Sequence, residues 1–371
     1  MKPLKKFGFL WSYSLLAVIV GSYYLGGPAW TFAGVVYAYG VLPLLDAVFG
    51  KDRSNVASED YEQVLNDRYF DVLVYSFVYL QYSLLIWGCW VLVFEPLTVL
   101  QQLRLIVSIG VFSGTIINIA HELGHRSSRF AQVHAKLALL SVSYMHFLIE
   151  HNRGHHVHVA TPLDPATARK NQSLYAFWWQ TLVGSYRSAW RIEKRLLAKA
   201  GHPVWSSHNN MLWFAGLPVL LAVALTAGFS LAAGQIAWIV PLFFAGQSLV
   251  GILLLESVNY IEHYGITRRE IAPGKYERVN PLHSWNAGQF ISNLVLFQLQ
   301  RHSDHHAYAA RPYQVLRHFD ESPQLPFGYP LMILMAMLPP LWFRLMNPRL
   351  EAWQARACSS EEILKTVRQF A

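Results

Sequence analysis

The sequence predicts an all-helical integral membrane protein, six transmembrane helices with a helical cap that gathers histidines at one membrane face. Three observations predict it. Of 371 residues, 53% are hydrophobic and 14% charged, against roughly 25% charged in an average soluble domain. Six apolar runs reach the ~20 residues a helix needs to cross a hydrocarbon core of ~30 Å. Nine of the sixteen histidines fall into four tight groups that close or follow apolar runs. The composition excludes disorder, a coiled coil and an ordinary soluble enzyme.

The six runs cover about residues 8–26, 29–50, 69–94, 99–121, 211–229 and 236–260, arranged as three hairpins. Their charges, Asp46, Asp71, Arg104 and Glu256, all lie near an end. The first run reads as a span and not a signal peptide, because it lacks a small-x-small cleavage site and a second run follows at once. A further apolar run, Gly328–Met346, is interrupted by Pro330, Pro339 and Pro340. Prolines break helices, so this run is expected to lie in the interface or against the bundle. Residues 1–371 form a single membrane domain, with 122–210 and 261–371 as the cap. Cys89 and Cys358 form no CxxC, which excludes a disulfide framework, a zinc ribbon and a cysteine-ligated iron.

Lysine and arginine placement sets orientation. The turns after spans one, three and five contain neither residue, whereas the connections after spans two, four and six hold almost all of them. Both termini and the cap are therefore expected on the cytoplasmic side. Residues 121–210 carry eleven Lys and Arg against four Asp and Glu, while residues 1–120 carry seven against eight. This excess fits membrane topology with attraction to anionic lipid, and equally an acidic protein partner. No nucleic-acid-binding module is visible.

The histidine groups are His121-Glu-Leu-Gly-His125, Glu150-His151-Asn-Arg-Gly-His155-His156, Asn259-Tyr-Ile-Glu-His263 and His302-Ser-Asp-His305-His306. Residues three or four apart share a helix face. His121 and His125 are thus expected to point at one spot, His151 and His155 likewise, and His302 to reach both His305 and His306. Neutral imidazole ligates Fe, Zn, Cu and Ni, and nine rings exceed the needs of one ion, so two metals are expected. A helix over 236–265 would be about 45 Å long, overshooting the hydrocarbon core by about 15 Å. The metal site should therefore cap the tops of the spans. His134, His158, His202, His208 and His318 read as ordinary polar residues.

HELGHR, EHNRGHH and LQRHSDHH resemble the three histidine boxes of the bacterial alkane 1-monooxygenases, membrane-bound non-haem di-iron ω-hydroxylases within the broader histidine-box desaturase and hydroxylase group. NYIEHYG resembles the additional signature that separates alkane hydroxylases from desaturases. The likeness extends to LPLLDAVFG (42–50), VATPLDPAT (159–167), HSWN (283–286) and SNLVLFQLQ (292–300). It implies two irons held by His121, His125, His151, His155, His156, His263, His302, His305 and His306. It implies O2 as oxidant, medium-chain n-alkanes as substrates, 1-alkanols as products and the bacterial inner membrane as location. It also implies rubredoxin, itself reduced by rubredoxin reductase, as electron donor. Rubredoxin needs four cysteines, so these 371 residues do not contain it.

Metal-bound imidazoles usually donate their outer N–H to a carboxylate or carbonyl. Glu122, Glu150, Glu262 and Asp304 adjoin ligand histidines, and Asp164 and His283 lie in stretches that match the family, so these six are expected to orient the ligands. Gly34, Ala38, Val41 and Leu45 form a small apolar stripe on span two, expected to line a substrate channel or to pack helices closely. Rubredoxin, usually acidic, is expected on a basic face drawn from Arg126, Arg129, Lys136, Arg169, Lys170, Arg187, Arg191, Arg268 and Arg269. A desaturase would share the boxes without NYIEHYG. An intramembrane zinc protease would use His121-Glu122-x-x-His125 and leave seven grouped histidines without a role. A metal transporter would place ionisable residues at mid-span, where these spans have almost none.

Overall fold

Long apolar segments become helices in lipid because only a helix or a closed barrel satisfies every backbone N–H and C=O without water. The computed structural model, which describes residues 3–358, is helical nearly throughout. In order come α1 (Leu4–Trp30), α2 (Ala33–Phe49), α3 (Arg68–Phe94), α4 (Val99–Gly124), α5 (Arg129–Leu140) and α6 (147–158). Then follow α7 (Leu174–Lys199), α8 (Asn210–Ala233) and α9 (Ile239–His263). A short antiparallel hairpin, β1 (Glu270–Ala272) and β2 (Lys275–Tyr276), precedes α10 (Phe290–Val295), α11 (His302–Ala307), α12 (Tyr329–Ala336) and α13 (Pro339–Cys358). Residues 359–371 of the expected cap lie outside the described residues.

Helix ends follow local chemistry. Asp67 and Asn209 accept from the N–H two residues on, Ser128 and Ser173 from the N–H three residues on. Thr98 and Gln101 form a reciprocal capping box at the start of α4, which satisfies donors that the helix itself leaves free. Gly234 ends α8 at φ 67°, the left-handed conformation that glycine adopts without strain.

Five helices, α1, α3, α4, α8 and α9, are long and apolar enough to cross a membrane. The expected span over 29–50 is different. A 3₁₀ turn occupies Gly27–Trp30, and α2 begins only at Ala33. It runs about 25 Å at 1.5 Å per residue. Within it lies a π-turn, Tyr37–Val41, closed by Leu42 N–H to Tyr37 O. Pro43 has no N–H to offer Tyr39, and the hydrogen-bond ladder slips by one residue there. The proline-interrupted run forms α12 and α13, bent by 119°.

The most buried span is α4, packed along α9. A methyl at Gly110 would stand 2.5 Å from Val250 Cβ, and one at Gly251 would stand 3.0 Å from the Ser113 backbone, so small residues set this close approach. Gln81 Nε2 donates to Ser113 Oγ (3.1 Å), Ser113 Oγ to Gln247 Oε1, and Gln247 Nε2 to Ser141 O (3.0 Å), tying α3, α4 and α9 inside the bundle. The C-terminal ends of α4 and α9 emerge at the same end, where α6 and α11 meet them.

Candidate metal centre

The nine grouped histidines converge there in two sets. His121, His125, His151, His156 and His305 form one, and His155, His263, His302 and His306 the other; within each, the donor atoms all lie within 4.8 Å of one another. Helix α4 supplies His121 and His125 from one face. Helix α9 ends on His263, and α6 and α11 each contribute to both sets.

The distribution along α6 and α11 corrects the sequence expectation. His151 and His155 do not share a spot. A π-turn over His151–His155, with His156 N–H reaching His151 O, brings residues five apart onto one face. His151 Nε2 therefore lies 3.0 Å from His156 Nε2 in the first set, while His155 turns to His306 (Nε2 to Nε2, 3.3 Å) in the second. On α11, His302 joins His306 at i+4, and His305 goes to the other set.

The donor chemistry fits metal. An imidazole nitrogen sits about 2.1 Å from a first-row ion, so two at right angles around one ion stand about 3.0 Å apart. The Nε2–Nε2 spacings are 2.8 Å for His121–His305, 3.1 Å for His125–His151, 3.1 Å for His156–His305 and 3.1 Å for His263–His302. Burial, and after it the neighbouring rings, holds His151, His156, His302, His305 and His306 well below 6.5. Burial holds His125 at about 4. These rings are thus neutral at physiological pH, the ligating form.

The carboxylates divide. Asp164 Oδ2 meets the outer Nδ1 of His155 at 2.9 Å and also accepts from Thr167 Oγ1 at 2.6 Å. Glu262 Oε2 lies 3.2 Å from Nε2 of His302, the nitrogen that faces the site, and not from its outer Nδ1. Glu150, on α6 itself, is buried with Oε1 unpartnered, and burial, reinforced by the Asp164 charge, pushes its carboxyl up. The other three do not orient ligands. Glu122 accepts from Arg126 (3.0 Å) and Tyr313 N (3.2 Å). Asp304 is clasped by Arg311 and Arg317 (each 2.8 Å). His283 pairs with Glu277 (3.3 Å). The Glu122 and Asp304 carboxylates are thus taken up by arginines and backbone N–H groups instead of by histidine rings.

Two features had weaker sequence signals. Glu256, an acid inside α9, accepts from Tyr144 (2.6 Å) and Thr181 (2.7 Å); a lone ionisable residue in an apolar span was the available clue. Buried Tyr329, at the start of α12, faces Glu262, and nothing in its local sequence announces that.

A narrow apolar cavity lies in the bundle. Its lining runs from Leu15, Ala38 and Leu42 to Asn118, Leu299 and Tyr329. Asn118 and Leu299 precede His121 and His302 by three residues, so the cavity ends about one helical turn from those histidines, none of which lines it. The expected stripe is split. Ala38 lines the cavity, Gly34 packs against Ile19 and Ser108, Leu45 joins the Leu42–Ile291 cluster, and Val41 faces outward. Leu42, four residues on from Ala38 and so on the same helix face, takes the cavity position expected of Val41.

The basic residues also divide. Arg129, Lys136, Arg169, Arg187, Arg191 and Arg269 are exposed. Lys170 is exposed but pairs with Glu351 at 2.7 Å. Arg126 is held by Asp71 (2.6 Å) and Glu122. Arg268 donates to Val157 O (2.7 Å) and Glu277 O (3.1 Å), which ties the β-hairpin segment to α6.

Residues 98–335 match a family profile described as fatty acid desaturase. The chain is 42% identical to alkane 1-monooxygenase 1 of Pseudomonas aeruginosa, with 100% of this chain and 96% of that protein covered. It is 43% identical to the alkane 1-monooxygenase of Pseudomonas putida, covering 91% and 83% of the two. It is 27% identical to the xylene/toluene monooxygenase hydroxylase component XylM of Pseudomonas putida, covering 93% and 88%.

Proposed function

Because the chain belongs to the fatty acid desaturase family and, within it, to the alkane 1-monooxygenases, we propose that it hydroxylates the terminal methyl of medium-chain n-alkanes. The stoichiometry is R–CH3 + O2 + 2e⁻ + 2H⁺ to R–CH2OH + H2O. The carrying observation is the pair of histidine sets, each with its donor atoms within 4.8 Å of one another, placed about one helical turn beyond the lining of an apolar cavity. Each set holds one iron, with electrons arriving from rubredoxin and the site facing the cytoplasm from the bacterial inner membrane.

A terminal C–H bond offers no handle for acid–base chemistry, and bound iron supplies the reductive activation of O2 that it requires. The residues do the rest. His155 keeps its proton on Nδ1, shared with Asp164 Oδ2, which leaves Nε2 as a lone-pair donor toward the site. The walls from Leu15 to Ile333 bury the alkyl chain and exclude water from the reacting end. Asn118 Nδ2 donates to Leu296 O (2.8 Å), clamping α4 to the segment after α10 at the histidine end of the cavity. Exposed Arg129, Arg169, Arg187 and Arg191 offer the acidic electron donor a positive face.

The test supplies purified protein with octane, reduced rubredoxin and isotopically labelled O2. Label in 1-octanol, with iron in the protein, is expected. Octene would indicate desaturation, and a zinc-only protein would overturn the iron assignment.

A further inference from the structure

A second cavity, of about 420 Å³, lies away from the apolar one, between α5, α6, the end of α7 and the start of α8. Lys136 and Arg153 line it, and among the described residues neither has a carboxylate partner. Its one acid, buried Glu193, already accepts from the backbone N–H (2.8 Å) and side-chain amide (2.9 Å) of Asn210. His202 and His208 also line it, stacked with ring centroids 3.8 Å apart. Asn152 contributes a buried Oδ1 that lacks a hydrogen-bond partner. The site thus combines two cations that make no ion pair among the described residues, one carboxylate held by Asn210, and one spare acceptor.

Its place in the fold says what kind of anion fits. The cavity opens where α8 begins, and α8 is the span least covered by the rest of the protein. Trp205 and Trp213, exposed by 82% and 50%, stand beside it as tryptophans do at membrane–water interfaces. A separate apolar groove, bordered by the same 202–208 loop, runs along a neighbouring face of α8 and is lined by Leu212, Gly216, Leu217 and Leu220. A side chain at Gly216 would meet nothing within 4 Å, so the glycine leaves the groove open. A soluble acidic protein could reach the cations but not a groove on the lipid-facing side of a span.

We infer that this cavity and groove bind one anionic phospholipid with a hydroxyl-bearing headgroup. Its phosphate lies between Lys136 and Arg153, its headgroup hydroxyl donates to Asn152 Oδ1, and an acyl chain follows Gly216–Leu220. Arg153 sits between ligands His151 and His155 on α6, so an occupied site braces the back of the metal-binding helix.

The experiment is native mass spectrometry of the iron-loaded protein released from nanodiscs of mixed phosphatidylglycerol and phosphatidylcholine. Wild type is expected to retain one phosphatidylglycerol, in preference to phosphatidylcholine and undiminished by added inorganic phosphate. A Lys or Arg near an anionic surface contributes a factor of about five, so Lys136→Gln with Arg153→Gln should weaken retention roughly 30-fold. Arg153→Lys should restore most of it. Gly216→Trp fills the groove without touching a cation and should weaken retention as well; with Lys136→Gln it carries the test if Arg153→Gln does not fold. Equal retention of the two lipids, or wild-type retention by the charge variants, overturns the proposal. So does displacement by inorganic phosphate together with an unaffected Gly216→Trp protein, which would mark a site for free anions.

Discussion

His155 Nδ1 and Asp164 Oδ2 stand 2.9 Å apart, with neither side chain more than 1% exposed. The carboxylate also accepts from Thr167 and from the Ala166 N–H, so it is fixed before it meets the ring. Asp164→Asn removes the charge and offers an amide where the ring needs an acceptor. Outer partners of metal-bound histidines typically contribute 10–100-fold in affinity or activity, and a loss of about that size in iron affinity is expected. Iron content after dialysis against graded chelator measures it; unchanged retention would detach Asp164 from the metal.

The split of α6 between the two sets makes a stoichiometric prediction. His151 and His156 belong to one set and His155 to the other, so with one metal per set they would serve different ions. The His151→Ala/His156→Ala double variant should lose no more iron than either single variant, about one ion per chain. His151→Ala/His155→Ala should lose about two, because effects at separate sites add. Hydroxylation should vanish in all of them, while His158→Ala keeps both metals. Metal analysis on folded protein decides, and equal iron loss in the two double variants would contradict the assignment.

Ala38 is buried and lines the apolar cavity. Ala38→Trp should remove activity on dodecane while sparing hexane, because the added ring shortens the space. Competition assays with alkane mixtures read this out. Uniform loss with lowered thermal stability would instead identify Ala38 as a helix-packing residue.

Turnover with rubredoxin should fall as salt rises, since the Debye length shrinks from about 10 Å at 0.1 M to about 3 Å at 1 M. A small chemical reductant should be much less affected. Arg187→Gln with Arg191→Gln should raise the KM for rubredoxin. Arg126→Gln should mainly lower stability, because its charge is already taken by Asp71 and Glu122.

The hydrogen bond from His283 is the largest of the influences that hold Glu277 at about 2, below its ordinary 4.5. A carboxylate depressed in the folded state stabilises above its unfolded value and loses that contribution as pH falls through the folded one. The segment after β2 should therefore loosen between about pH 4.5 and 2, seen as faster backbone hydrogen exchange in residues 277–286. His283→Ala should shift the onset toward pH 4.5. An identical pH profile in the two proteins would remove His283 as the cause.

Much of the architecture was legible because lipid leaves few choices. A run of apolar residues long enough to cross must be helical, so α3, α4, α8 and α9 fall where composition places them. Span two was misjudged in length because hydropathy does not register the 3₁₀ turn at Gly27–Trp30 or the ladder slip near Pro43. The nine histidines were legible as a group, since imidazoles crowded at span ends have few other uses. The bracing of Asp304 by Arg311 and Arg317 was hidden, because adjacency to a histidine in sequence does not say which partner a carboxylate meets.

By itself, the sequence determined the class of the protein, the ends of most spans and the residues that form the histidine cluster. All three follow from local quantities: apolar run length, proline and capping positions, and histidine spacing. The tertiary structure alone decided which histidines share a set, that Asp164 rather than Glu122 or Asp304 hydrogen-bonds a grouped histidine, and that Ala38 lines the cavity while Val41 faces outward. Each of those depends on rotation about a helix axis. The π-turn in α6 shifts that rotation by a residue, and whether such a turn forms depends on the packing that surrounds it.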